Sequence, residues 1–204
     1  DYGKQDGQWV ANKYGGNENL EAIEFFKHLN TLVRGRNKNA MMIAEESTAW
    51  PRVTGEVEDG GLYFSYKWNM GWMHDFLDYM KLDPYFRKDN HNKMTFAMTY
   101  NAYEKYVLVL SHDEVVHLKC SMLNKMPGLE DDKYRNLRVG YAFMMGHPGK
   151  KLLFMGQDFA QSREWSEARE LDWYLLDNPK HKAVSDFMRE LLHIYQKYPA
   201  MYEL

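Results

Sequence analysis

A single cysteine, Cys120, stands among the 204 residues, so neither an intramolecular disulfide nor a cysteine-rich zinc site can form. A reducing compartment, the cytoplasm by default, is the expectation. Proline is also sparse, with six residues and no cluster, which leaves no Pro-rich linker to mark a domain boundary. No apolar run is long enough to span a bilayer, and no signal peptide opens the chain. Asp1 to Gln8 reads as the interior of a longer sequence rather than as a start, so that absence says little about a parent protein. A basic excess is missing too: 26 Lys and Arg against 29 Asp and Glu give a net charge of -3, no footprint for nucleic acid or an anionic membrane. Aromatic residues, by contrast, are plentiful. Fifteen Tyr and six Trp can bury large areas, and their flat faces also suit sugar rings.

Along the chain, short apolar runs alternate with amphipathic stretches. Ala22, Ile23, Phe26, Leu29 and Val33 recur at helical spacing, with Asn17 or Asn19 as the N-cap. Ala40–Ala44 reads as a strand ending in Glu45-Glu46, and Leu62–Tyr66 as a second one after the Gly60-Gly61 connection. A helix follows over roughly Gly71–Met80. Tyr106–Leu110 is the clearest strand and stops at Ser111-His112-Asp113. Tyr134, Leu137, Tyr141, Met144 and Met145 line one helix face that His147-Pro148-Gly149 closes. Lys151–Met155 is a fourth strand, and Asn178-Pro179 caps a last helix striped by Val184, Phe187, Met188, Leu191, Leu192 and Tyr195. Apolar strands separated by amphipathic helices imply an α/β fold with a parallel sheet covered on both faces. Four such units fit half of a (β/α)8 TIM barrel, whose usual length is about 250 residues, and equally a small doubly wound sheet.

Ligands and catalytic groups in such folds sit at the C-terminal ends of strands, and three ends carry candidate chemistry. At Glu45-Glu46, strand alternation lets only one glutamate face the ligand side. Partial desolvation at a barrel rim would raise its pKa and suit it to general acid work, while two solvated loop charges fit the spacing as well. At Ser111–His117, His112, Asp113, Glu114 and His117 follow a buried strand directly. They read either as a catalytic His-Asp pair or as a hydrogen-bonded His beside a loop Asp. The Glu114-x-x-His117 pair has no second copy, and no His-Glu-x-x-His occurs, so no metal or other cofactor is expected. At the third end, Gly156 allows a sharp exit from the strand, and Trp165 is either a sugar platform or rim packing. The methionines read as core filler and Cys120 as a buried or incidental thiol.

The strings MIAEEST, LYFSYKWNMGWMHD, VLVLSHDEVVH, HPGKKLLFMGQDF and REWSEARELDWYLL, with DYGKQDGQW and KYGGNENLEAIEF before them, resemble consecutive blocks of the bacterial glycogen branching enzymes. These belong to the α-amylase superfamily (glycoside hydrolase family 13). The resemblance runs across essentially the whole chain. It implies one partial barrel over residues 1–204, about strands 5–8 of a (β/α)8 fold with their helices. It also implies transfer of α-1,4-glucan segments of glycogen or a related α-glucan to a 6-hydroxyl by a retaining mechanism. Glu45 matches the family's general acid/base. Asp113 matches its transition-state carboxylate, and His112 the sugar-binding histidine beside it. The family's nucleophile lies in an Arg-Val-Asp-Ala-Val-type strand that has no counterpart here, and neither Asp1 nor Asp6 is assigned that role. The resemblance thus implies that the first four strands, the nucleophile and the accessory β-domains are absent, and that the chain alone lacks branching activity. It would depend on the remainder of a parent barrel. Rival readings are an α-glucan hydrolase of the same superfamily, a non-catalytic glucan-binding fragment, and a metal-dependent hydrolase using His112, Glu114 and His117.

Overall fold

The computed structural model describes residues 4–203, so Asp1 lies outside the described residues. The chain is α/β, with four parallel strands taken in chain order. It divides into two compact units. The first holds the residues up to Trp68 together with Ala102–Lys105; the second holds Asn69–Asn101 and Tyr106 onward.

In the first unit, helix α1 (Leu20–Arg36) starts at Asn19, whose Oδ1 accepts from the Ala22 N–H at 2.9 Å. Strand β1 is only Ile43–Ala44, and it pairs in parallel with β2 (Tyr66–Asn69) in the register Ile43↔Tyr66, Ala44↔Lys67. The final residue of β2 already belongs to the second unit. Both strands differ from the sequence expectation for one reason. Leu62, Tyr63 and Phe64 donate their N–H groups to the carbonyls of Arg52, Gly55 and Val53. Tyr63 is also in the left-handed region at φ 62°, so this apolar run folds back on the preceding loop instead of extending a strand. The buried Glu104 carboxylate completes that loop by accepting from the Val53 and Thr54 N–H groups, both at 2.8 Å. The core here is small: Ala44, Val53, Leu62 and Phe64, flanked by Ile23, Met42 and Trp50.

The second unit is denser. Helix α2 (Met70–Lys81) is capped by Asn69 Oδ1 on the Trp72 N–H at 2.9 Å and buries Trp72, Met73, Phe76, Leu77 and Met80. Each such side chain is worth about 1.5–3 kcal/mol when fully buried. Residues Pro84–Thr99 form short helical turns, among them α3 (Asn92–Thr95). Strand β3 (Tyr106–Leu110) falls where the periodicity puts it and leads through a short helix α4 (Met122–Lys125) to α5 (Glu130–Gly146). Gly140 on α5 faces α2: a Cβ there would lie 3.2 Å from both Phe76 and Met80, so glycine is what allows the two helices to approach closely. Strand β4 (Lys150–Leu153) pairs with β3 in parallel from Val107↔Lys150 to Leu110↔Leu153. It ends earlier than expected, although the Phe154 N–H still donates to Leu110 O at 2.9 Å. Helix α6 (Pro179–Lys197) closes the unit, with Asn178 Oδ1 on the Lys180 N–H as read from the sequence. Among the described residues no helix is long and apolar enough to cross a membrane.

Candidate functional site

In the first unit Glu45 follows β1 immediately, at its C-terminal end. Its side chain lines a cavity of about 720 Å³ together with Asn19, Phe26, Ala44, Trp50 and Phe64. Glu45 is exposed, so the partial desolvation expected at a barrel rim is not present in this chain: the cavity opens to solvent. Its neighbour Glu46 is half-buried and accepts from the Thr48 N–H at 2.7 Å. Strand β1 ends at Ala44, so both glutamates lie beyond it; Glu46 is tied into the backbone and Glu45 is the more exposed of the two. Lys67 on β2 is buried and donates to the Thr48 carbonyl at 2.8 Å, which fixes the loop that leaves Glu45. Burial pulls the Lys67 ammonium below its ordinary value, opposed by the charges of Glu104 and Glu46.

In the second unit β3 runs from the half-buried Tyr106 into a fully apolar, buried stretch, Val107–Leu110. The chain then turns at once into a short 3-10 helix, His112–Val115, as Glu114 N–H returns to Ser111 O at 3.2 Å. The turn lifts His112 and Asp113 out of the core, and about half of each side chain is exposed. His112 Nε2 lies 3.3 Å from Asp113 Oδ1. A carboxylate and an imidazole held side by side at the end of a strand present two hydrogen-bonding groups to solvent or to a polar ligand. Trp165 joins them. Its ring stands edge-on to Phe154 at 5.2 Å and to His112 at 6.5 Å, and its backbone N–H donates to Val115 O at 3.0 Å. It is half-buried, so it backs His112 and keeps part of its ring open. Gly156 takes φ 83° at the strand exit, where a Cβ would press on Gln161 and Leu171 at 3.1 and 3.2 Å. The Arg163 guanidinium forks onto the Asp172 carboxylate, with Nε to Oδ2 at 2.8 Å, and so closes the loop that carries Trp165. That hydrogen bonding holds the Asp172 carboxyl below the usual carboxylate range.

Three features went unseen in the sequence. His117, Leu118 and Cys120 all adopt left-handed φ, between 55° and 65°, at a cost on the order of 1–3 kcal/mol each for non-glycine residues. Glu164 braces the latter two, its carboxylate accepting from the Leu118 N–H at 3.1 Å and the Cys120 N–H at 2.6 Å. Lys125 is buried and donates to the Lys119 and Cys120 carbonyls. Burial first, then the Lys81 charge, pushes its ammonium down to about 8 against the pull of Glu114 and Cys120. No pattern marked Glu164, because a strained loop of non-glycine residues has no compositional signature. Cys120 is exposed, so of the two readings, buried or incidental thiol, the first does not hold. His112, Glu114 and His117 do not form a metal-binding cluster, and no other group of His, Cys, Asp and Glu does so among the described residues.

No protein-family model matches the chain. Its curated relatives are specific, however. Over all 204 residues it is 68% identical to 1,4-alpha-glucan branching enzyme GlgB of Butyrivibrio fibrisolvens, covering 32% of that protein. Over 203 residues it is 55% identical to the GlgB of Gloeobacter violaceus, covering 28%. The chain thus spans about a third of the length of the curated relatives it matches. Among solved structures it is similar to the type III pullulan hydrolase from Thermococcus kodakarensis, with a TM-score of 0.61, 17% identity, and coverage of 91% of this chain and 32% of the other. It is also similar to the ligand-free cyclic alpha-maltosyl-(1-->6)-maltose hydrolase from Arthrobacter globiformis, with a TM-score of 0.57, 15% identity, and coverage of 88% and 38%. At such identities the likeness speaks for the fold alone, that of a partial (β/α)8 barrel.

Proposed function

We propose that this chain is a portion of the catalytic (β/α)8 barrel of a 1,4-α-glucan branching enzyme, acting on glycogen or a related α-glucan. The observation that carries the reading is 68% identity across the entire chain to one such enzyme. In the proposed reaction Glu45 gives its proton to the leaving glycosidic oxygen as the C1–O bond breaks and a carboxylate supplied by another part of the barrel bonds to C1. Glu45 then takes the proton of an acceptor 6-hydroxyl as that oxygen displaces the ester. Asp113 and His112 hydrogen-bond hydroxyls of the reacting sugar, bonds that strengthen as the ring becomes oxocarbenium-like. Trp165 supports His112 and offers its open edge to the glucan. The exposure of Glu45 and its freedom from backbone hydrogen bonds suit a group that must exchange protons twice per turnover.

The remainder of the barrel is the proposed partner. Met41 and Ile43 around β1, and Phe25 and Leu32 on α1, are exposed by 41–65%, an apolar surface of the kind that a further strand and helix layer covers. The proposed place of action is the cytoplasm, where a lone thiol stays reduced.

The test exchanges this chain for the matching stretch of the Butyrivibrio fibrisolvens enzyme and incubates the chimera with amylose. The expected outcome is accumulation of α-1,6 linkages with no net rise in reducing ends. Reducing ends without branches would point to a hydrolase, and no conversion at all would overturn the assignment.

A further inference from the structure

The loop His117–Cys120 is held in an unfavourable conformation by two charged side chains. Glu164 spends both carboxylate oxygens on the Leu118 and Cys120 N–H groups, and Lys125 spends its ammonium on the Lys119 and Cys120 carbonyls. The next residue, Trp165, ties its own N–H to Val115 O. One dipeptide therefore anchors both the turn that carries Asp113 and the strained loop after it. The loop contributes nothing to the core: Leu118 is 95% exposed, and His117, Lys119 and Cys120 are exposed as well. A leucine kept in left-handed backbone and pointed at solvent is a poor device for stability. Such strain persists where the surroundings over-determine it, and it marks positions that must be set before a ligand arrives.

We infer that Glu164 is a positioning residue which presets the 117–120 loop as a wall of the glucan site beside Asp113, offering Leu118 and His117 to the apolar face of a bound glucan chain. This rests on the branching reading for the ligand, but not for the clamp. With one carboxylate fixing two N–H groups, the loop stays ordered in the absence of sugar, and the glucan does not have to order it on binding. Loss of the clamp therefore weakens binding more than it slows the chemical step.

The experiment has two arms. In the full chain, trypsin cleavage after Lys119 reports release of the loop, because the protease needs an extended segment. Glu164→Ala is expected to speed that cut by about tenfold or more, while Glu164→Gln, which keeps the side-chain length and one acceptor oxygen, falls between. In the Butyrivibrio chimera, Glu164→Ala is expected to raise KM for amylose by about tenfold with kcat changed by less than about threefold, and Glu164→Gln to restore part of the difference. Unchanged cleavage overturns the clamp. Faster cleavage with unchanged KM in an active chimera overturns the positioning role alone. An unsubstituted chimera that makes no branches overturns the branching reading and removes the positioning role with it, while the cleavage rates still decide the clamp.

Discussion

Helices α1 and α2 both begin with an asparagine cap and carry apolar stripes, but they meet very different surroundings. Across its 17 residues α1 buries only Asn30, whose Nδ2 donates to Leu62 O at 2.7 Å, whereas α2 buries five large apolar side chains in 12 residues. The strands follow suit: β1 is two residues long with Ile43 44% exposed, and β3 has four consecutive residues at 6% exposure or less. The second unit thus holds a finished core, and with it a turn, a clamp and a packed tryptophan that fix His112 and Asp113. The first unit carries Glu45 on a scaffold that leaves large apolar side chains such as Phe25, Met41 and Ile43 exposed. Burial energy accrues only to surface that something covers, so a helix of good pattern that keeps its large side chains exposed contributes less than a buried one of similar length.

Activity gives the sharpest way to break this contrast. In the chimera, Glu45→Gln should lower the initial rate of branch formation by roughly 10²–10⁴-fold, as loss of a general acid/base does. Asp113→Asn, which weakens charge stabilisation, should cost about 10²–10³-fold. If Glu45→Gln stayed within about tenfold of the unsubstituted chimera, the open unit would carry no essential proton donor. Stability comes next. By urea denaturation of the full chain, Trp72→Ala should cost about 3–5 kcal/mol, because Trp72 is 1% exposed and stacks on Phe76 at 4.7 Å. Phe26→Ala, at a site 38% exposed, should cost less than about 1 kcal/mol in the chain and about 2 kcal/mol or more in the chimera. Equal costs for Phe26→Ala in the two settings would mean that nothing covers α1 in the complete protein.

The same contrast explains what the sequence reveals and what it hides. Helix α5, strand β3 and the Asn178-Pro179 start of α6 were legible because pattern and burial agree there. The run Leu62–Tyr66 misled because an apolar string records that residues want burial, not which backbone carbonyls their N–H groups will find. Arg52, Val53 and Gly55 win that competition. Among the candidate site residues, Glu45, His112 and Asp113 follow strand ends as the sequence suggested, and the structure brings Trp165 beside His112 and Asp113. Glu164 and Lys125 were not readable, since their partners are backbone groups of residues 118–120, and a side chain's claim on a distant backbone leaves no spacing to count.

Lysines depressed by burial offer the smallest test, and they divide between the units as well. In the first unit Lys67 is depressed by burial but keeps Glu46 and Glu104 as countercharges. In the second, Lys125 and Lys151 are brought down to about 8, Lys151 by burial and then by the neighbouring Lys150 charge. Below pH 8 both are protonated folded and unfolded, and the cost of burying the charge is fully present. From about 8 upward the folded chain releases protons that the unfolded chain holds until near 10.4, so stability must rise with pH across that interval. The gain should reach about 1 kcal/mol per lysine by pH 10, after allowance for solvent relaxation. Above that, tyrosine ionisation on unfolding works the other way, since burial holds the Tyr141 hydroxyl well above its ordinary value. Urea midpoints of the full chain taken between pH 8 and 10 should therefore climb. Lys125→Met should flatten that climb by about half, because one of the two strongly depressed groups is gone. Lys67→Met should alter it little. A climb that survived Lys125→Met and Lys151→Met together would locate the pH response in the first unit and reverse this part of the comparison.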